Sequence, residues 1–240
     1  MPSILETYRR GNYRGIIKSE CFLKRYDRIF AELETEAPVI VELGVYRGRS
    51  LRLWSDAFPL ATIIGFDMEV PSDELPPNCS VVQGSQRNRA DLEKVLAHAG
   101  ALDIVIDDCS HLAEPTRLAF ETLFPRVRPG GFYVVEDWGT GYWPSWPDGS
   151  LPQGGNHLAG MVGFVKEFVD GVGIPARNRL RNPPPIHEAN WSTENSPYEY
   201  VTYYPGMACV KKAFPPGEPM HSPLNRKAPS TGPRMIDGAS

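Results

Sequence analysis

Five short apolar runs, each closing on an acid or a glycine, constrain this chain more than any other feature. APVIVELG (Ala37–Gly44) is a continuous β-branched run that ends at glycine. ATIIGFD (Ala61–Asp67) ends on an acid and CSVVQG (Cys79–Gly84) on a glycine. LDIVIDD (Leu102–Asp108) and FYVVED (Phe132–Asp137) each end on two acids. Apolar runs this short and this continuous read as strands buried on both faces. Helical spacing fills the intervals: SLRLWSDAF (Ser50–Phe58), RADLEKVLAHAG (Arg89–Gly100) with a closing glycine, and PTRLAFETLFPRV (Pro115–Val127) with proline in its first turn. Strands alternating with helices imply an α/β fold, a mostly parallel central sheet with helices on both faces.

The flanks extend that core. Leu5–Glu34 reads as a helical cap over the sheet, so residues 1–36 form an N-terminal unit ahead of a main domain at 37–214. HLAGMVGFVKEFVDGV is helical in pattern, and Tyr198–Lys212 alternates as an antiparallel hairpin turned at Pro205-Gly206. Residues 138–157, rich in Gly, Pro and Trp, are too long for a plain connection and read as a lid loop. From Pro215 to the last residue, prolines and small polar residues imply a flexible tail.

Composition excludes several classes. At 240 residues and 41% hydrophobic content the chain can bury a full core. A net charge of −4 without a basic stripe gives no reason to expect nucleic acid or a bilayer as partner. Four widely spaced cysteines without a CxxC pair fit reduced thiols and a cytoplasmic setting. The first residues contain no apolar signal-peptide core, and no run reaches the length of a membrane span. The apolar C-terminal hairpin offers a surface for homodimerisation.

In an open parallel sheet, ligands bind beyond the carboxyl ends of the strands. Read at those ends, the residues are Glu42-Leu43-Gly44, Asp67, Gly84-Ser85-Gln86, Asp107-Asp108 with His111, and Glu136-Asp137. A glycine after a strand is commonly a turn, and a lone acid there is commonly solvated. Five such ends together point to a ligand. Asp108, Glu136 and Asp137 have the chemistry to share one hard divalent cation, for which magnesium and its preference for carboxylate oxygen are the natural fit. A cation that lowers an alcohol's pKa and a base that takes its proton would let a hydroxyl act as nucleophile. His111 is that base, or else a cap of the following helix. Trp138, Tyr142, Trp143 and Trp146 serve either as lid packing or as rings on which a sugar stacks its C–H face.

VELGVYRGRS lacks the three glycines of the dinucleotide turn. Its Glu-x-Gly-x-x-x-Gly-x-Ser pattern resembles the first motif of S-adenosylmethionine-dependent methyltransferases of the Rossmann-like class I fold. That resemblance implies that Glu42 and Gly44 lie by the amino-acid part of the cofactor. It likewise implies that Asp67 receives both ribose hydroxyls, that Ser85 and Gln86 contact the adenine, and that Asp107 lies near the methyl group. More specifically, VIDDCSH and FETLFPRVRPGGFYVVEDWGTGYW resemble metal-dependent sugar O-methyltransferases that act on glycosylated macrolides such as mycinamicin. They also resemble relatives that methylate mannose or rhamnose units, those of the mycobacterial methylmannose-polysaccharide pathway among them. The likeness spans about Val39 to Trp143. It implies Mg²⁺ on Asp108, Glu136 and Asp137, His111 as general base, Trp138, Tyr142 and Trp143 against the acceptor, and a sugar or glycan as substrate. The family reads Asp-Asp-Gly-Ser-His where this chain has Cys109. Two other functions stand beside this one. A catechol-type O-methyltransferase usually carries asparagine after the strand-five aspartate, where this chain has Trp138. A non-catalytic glycan-binding protein would use the tryptophans alone and bind no cofactor.

Overall fold

Seven strands form one sheet: β1 (Val39–Leu43), β2 (Thr62–Asp67), β3 (Cys79–Gln83), β4 (Leu102–Asp107), β5 (Val127–Glu136), β6 (Tyr198–Tyr204) and β7 (Met207–Lys212). The computed structural model describes residues 3–13, 15–16, 18–154, 157–173 and 196–215. The sheet order is β3-β2-β1-β4-β5-β7-β6. β1 to β5 pair in parallel, and β7 runs antiparallel between β5 and β6. The chain therefore steps outward from β1 to β3, then restarts at β4 on the other side of β1. That reversal opens a crevice at the carboxyl ends of β1 and β4, where sheets of this type take ligands.

Six helices among the described residues cover the sheet: α1 (Ile4–Arg10), α2 (Glu20–Ala31), α3 (Arg49–Ala57), α4 (Arg89–Ala99), α5 (Ala113–Leu123) and α6 (Gly160–Gly173). Side chains alternate along a strand, and each strand feeds two separate cores. Ile40, Ile104, Phe132 and Val134 pack with Leu23, Tyr26, Phe30 and Trp54 from α2 and α3. Val41, Val105, Tyr133 and Val135 pack with Leu92, Phe120, Phe164 and Phe168 from α4, α5 and α6. α1 and α2 lie against the first face, tied together where Asp27 accepts from Ser3 Oγ at 2.7 Å and from Ile4 N at 2.5 Å.

Two boundaries differ from the sequence reading. The helix expected over Pro115–Val127 begins two residues earlier and ends at Leu123, and a 3-10 turn at Phe124–Arg126 leads straight into β5. β5 then starts at Val127, paired with Leu102, rather than at Phe132. The Arg-Pro-Gly-Gly stretch is an irregularity inside the strand, where the register shifts between Leu102 and Ile104. Proline has no N–H to give a ladder, and Gly130 takes φ +74°, so the strand bulges there. The hairpin forms as expected, turning between Tyr204 and Met207. No helix among the described residues is long and apolar enough to cross a membrane. All four cysteines are free thiols. The expected tail lies, beyond Pro215, outside the described residues.

Candidate active site

Among the described residues, three that are not glycine have positive φ: Tyr46 at 49°, His111 at 51° and Asp137 at 51°. Each follows the end of a strand lining the crevice, β1, β4 and β5 respectively. Left-handed backbone is costly for such residues and persists where its surroundings hold it, commonly at functional sites. The restraints are visible. The Tyr46 N–H donates to Asp67 Oδ2 at 2.9 Å, and the Asp137 N–H donates to the Gly206 carbonyl at 2.6 Å. The His111 carbonyl accepts from Trp146 Nε1 at 2.8 Å and from Thr140 Oγ1 at 3.2 Å.

Asp108, His111 and Asp137 come together here. Each offers one ligand atom, and these atoms all lie within 4.8 Å of one another. His111 Nε2 faces Asp108 Oδ1 at 3.9 Å, while Nδ1 is buried without a partner. Glu136 stands outside this trio but is joined to Asp108 through Lys18. It shares the parity of Phe132 and Val134, so its carboxylate turns toward α2 and accepts from Tyr26 Oη at 2.5 Å. Glu42, two residues beyond Ile40, turns the same way and accepts from Trp54 Nε1 at 3.1 Å.

Between the two groups stands Lys18, just ahead of α2, which sequence reasoning passed over. Its buried Nζ donates to Glu136 Oε1 at 2.6 Å and to Asp108 Oδ2 at 2.8 Å, with Glu42 Oε1 at 3.3 Å. Burial alone would lower the lysine pKa, but attraction by Glu136, Asp108 and Glu42 carries it well above the usual value, so the ammonium persists. Burial raises the Glu42 and Glu136 carboxyls, and the lysine pulls both back. Asp108 bridges the halves, one oxygen toward Lys18 and the other toward His111.

The first loop is built by close packing. Gly44 takes φ +82°, and a Cβ there would overlap the Asp108 carbonyl oxygen and lie 2.6 Å from Cys109 Cα. Glycine is required so that the loops after β1 and β4 can touch. Asp67 clamps the same loop, accepting from Val45 N and Tyr46 N through Oδ2, both at 2.9 Å. Its Oδ1 takes only the longer bond from Glu69 N, at 3.2 Å. A cavity of about 70 Å³ lies over Gly44, Val45 and Asp108, roofed by Gly15, Ile16 and Lys18. A larger one of about 590 Å³ continues past Tyr46, Arg47 and Arg49 to Glu69–Asp73 at the end of β2.

Asp107, Gln86 and Ser85 form a support on the other face. Asp107 shares the parity of Val105, so it is buried against Tyr133 and accepts from Tyr133 Oη at 2.9 Å. Gln86 Nε2 donates to both Asp107 oxygens at 2.8 and 2.9 Å, and Gln86 Oε1 accepts from Ser110 Oγ at 2.6 Å. Burial pushes the Asp107 carboxyl up to about 7 despite these donors. Ser85 donates its N–H to Asp91. The structure thus gives Asp107 and Gln86 partners within the protein and uses them to hold the Cys109–His111 loop. Cys109 itself has an ordinary φ, so the loop geometry makes no demand for glycine at that position. Burial pushes its thiol pKa up, away from nucleophile chemistry.

The aromatic segment is pinned rather than loose. Trp138–Tyr142 forms a 3-10 helix. Trp138 Nε1 donates to the Tyr204 carbonyl at 3.3 Å, and Tyr142 stacks on His157 with centroids 5.0 Å apart. Trp146 leans on the His111 ring at 6.1 Å, and Trp143, 53% exposed, meets Trp146 edge-on at 6.3 Å. Of the three residues assigned to the acceptor, Trp143 alone is exposed. Asp148 ties this segment to α5, whose cap residue Leu112 makes no side-chain bond: Asp148 Oδ2 accepts from Ala113 N at 2.8 Å. Asp148→Ala is therefore expected to cost about 1 kcal/mol, as loss of a helix cap does, and chemical denaturation measures it.

Comparison with known proteins follows these residues. Residues 41–138 match the family model described as a methyltransferase domain. Demethylmacrocin O-methyltransferase of Streptomyces fradiae is 39% identical over 158 residues, 63% of this chain and 40% of that protein. The 8-demethyl-8-alpha-L-rhamnosyl tetracenomycin-C 2'-O-methyltransferase of Streptomyces olivaceus is 38% identical over 154 residues, 61% of this chain and 40% of its own length. Among solved structures, MycE methyltransferase from the mycinamycin biosynthetic pathway, in complex with Mg and SAH, aligns with a TM-score of 0.69 at 28% identity. That alignment covers 98% of this chain and 58% of MycE. The chain spans about two fifths of the length of the curated relatives it matches. Residues 41–138 are thus similar to a methyltransferase domain, and the chain folds as a Rossmann-like sheet with its acids gathered at the switch-point strand ends.

Proposed function

We propose that this chain transfers the methyl group of S-adenosylmethionine to a hydroxyl of a sugar, with Mg²⁺ at the acids and His111 as base. One observation carries the reading: Asp108, His111 and Asp137 meet within 4.8 Å at the crevice of a methyltransferase-like domain. The relatives support it, being O-methyltransferases whose names specify demethylmacrocin or a rhamnosyl tetracenomycin. The acids also pass a test of fit for a cation, because Asp108 and Glu136 already close around one, the Lys18 ammonium. Asp108, Glu136 and Asp137 would hold the metal. Bound there, it would lower the pKa of the acceptor hydroxyl.

The residues of this chain supply the remaining chemistry. His111 Nε2, the nitrogen turned to the acid pair, takes the hydroxyl proton. The oxygen then forms its bond to the methyl carbon as the carbon–sulfur bond breaks, and the sulfonium charge is discharged. Asp108 and Asp137 stabilise the imidazolium that results. The exposed Trp143, edge-on to the Trp146 that leans on His111, offers a ring suited to the C–H face of a sugar. A net charge of −4 without a basic stripe fits a neutral glycan better than nucleic acid. Because S-adenosylmethionine is a cytoplasmic metabolite, the reaction would belong in the cytoplasm.

The cavities past Gly44 toward the end of β2 suit an elongated cofactor across β1 and β2, and Asp67, which holds the Tyr46 N–H of that lining, would take the ribose. Charge-assisted hydrogen bonds are worth about 1.5–3 kcal/mol each, so Asp67→Ala should weaken S-adenosylmethionine binding at least about tenfold by calorimetry. Unchanged affinity would remove Asp67 from the cofactor site. No cofactor binding by the unaltered protein would favour a glycan-binding module instead.

A further inference from the structure

Lys18 reaches the acid cluster from outside the sheet, and its position is the one a metal would need. Its Nζ lies 2.8 Å from Asp108 Oδ2 and 2.6 Å from Glu136 Oε1. Magnesium sits about 2.0–2.1 Å from its ligand oxygens, so an ion shared by those same two oxygens would overlap the ammonium. Two cations at such separation also repel strongly where water is excluded. The ammonium and a divalent ion cannot both bind the pair.

The lysine is also a tether. It belongs to the connection between α1 and α2, and Gly15, Ile16 and Lys18 of that connection roof the cavity over Gly44, Val45 and Asp108. Gly15 packs directly on the Arg49 guanidinium at the start of α3. Whatever displaces Lys18 from the acids therefore loosens the roof over the glycine loop. We propose that Lys18 and the divalent cation are alternative occupants of the Asp108–Glu136 pair, so that metal entry releases the Lys18 tether and uncovers the loop. The proposal rests on the metal reading given above.

Mn²⁺ is the probe, with free ion followed by electron paramagnetic resonance and lysine exposure by acetic anhydride labelling and peptide mass spectrometry. Without metal, Lys18 should be shielded; at saturating Mn²⁺ its labelling should rise, while the exposed Lys24 stays constant. Lys18→Met should bind Mn²⁺ about tenfold tighter or more, the reciprocal of the exchange. Should Lys18→Met fail to fold, Lys18→Met with Glu136→Gln removes one charge of each sign, and the labelling of the unaltered protein decides the matter without either variant. Mn²⁺ binding that Asp108→Asn abolishes, with Lys18 still shielded, would overturn the exchange and leave the metal reading intact. Absence of Mn²⁺ binding by both the unaltered protein and Lys18→Met would take down the metal reading and the exchange with it.

Discussion

Replacing His111 with alanine is expected to lower kcat by about 10²–10⁴, the usual cost of losing a general base, while leaving cofactor affinity nearly intact. The expectation comes from Nε2 facing the Asp108 carboxylate at 3.9 Å, with Asp137 in the same cluster. His111 also holds left-handed backbone, so alanine adds strain of its own. Asparagine tolerates that conformation, and His111→Asn should show the same loss of rate with the fold preserved. A His111→Asn variant within about threefold of the parent rate at saturating cofactor and metal would contradict the role of base.

Gly44→Ala should be the most damaging single methyl group in the crevice. At φ +82° an alanine carries a left-handed cost of about 1–2 kcal/mol. Its Cβ would also press on backbone atoms of Asp108 and Cys109, which cannot swing aside. Overpacking of that kind adds about 1–3 kcal/mol. Gly154 provides the control, with φ +66° and nothing within 4 Å of the place a Cβ would take. Denaturant melts should place Gly44→Ala well below Gly154→Ala in stability. Equal losses would mean that the two loops do not bear on each other as described.

Much of this architecture was legible in the sequence because buried parallel strands announce themselves: five continuous apolar runs mapped onto β1 to β5. The exception at β5 has a local cause, since Arg-Pro-Gly-Gly reads as a turn and a bulge uses the same residues. The site was legible as a list of strand ends but not as a geometry. Glu42 and Glu136 share a parity with the Ile40–Phe132 face, and Asp107 shares that of Val105. The period of two therefore sets Asp107 apart from the other acids, while Asp108 continues the parity of Ile104 and Ile106 and meets the same Lys18 ammonium as Glu136. That signal was present and went unused. Lys18 carried no such signal. It lies 90 residues from Asp108 and 118 from Glu136, and only the packing of α2 on the sheet brings them together.

The central claim is methyl transfer to a sugar hydroxyl at a metal-dependent site. The direct measurement incubates the unaltered protein with S-adenosylmethionine and a panel of rhamnosides and mannosides, with added Mg²⁺ or with excess chelator, and follows the methyl ether by mass spectrometry. The account predicts product on at least one sugar with Mg²⁺, none with chelator, and recovery when Mg²⁺ is restored. Full turnover in excess chelator, or cofactor binding with no transfer to any sugar hydroxyl, would contradict it.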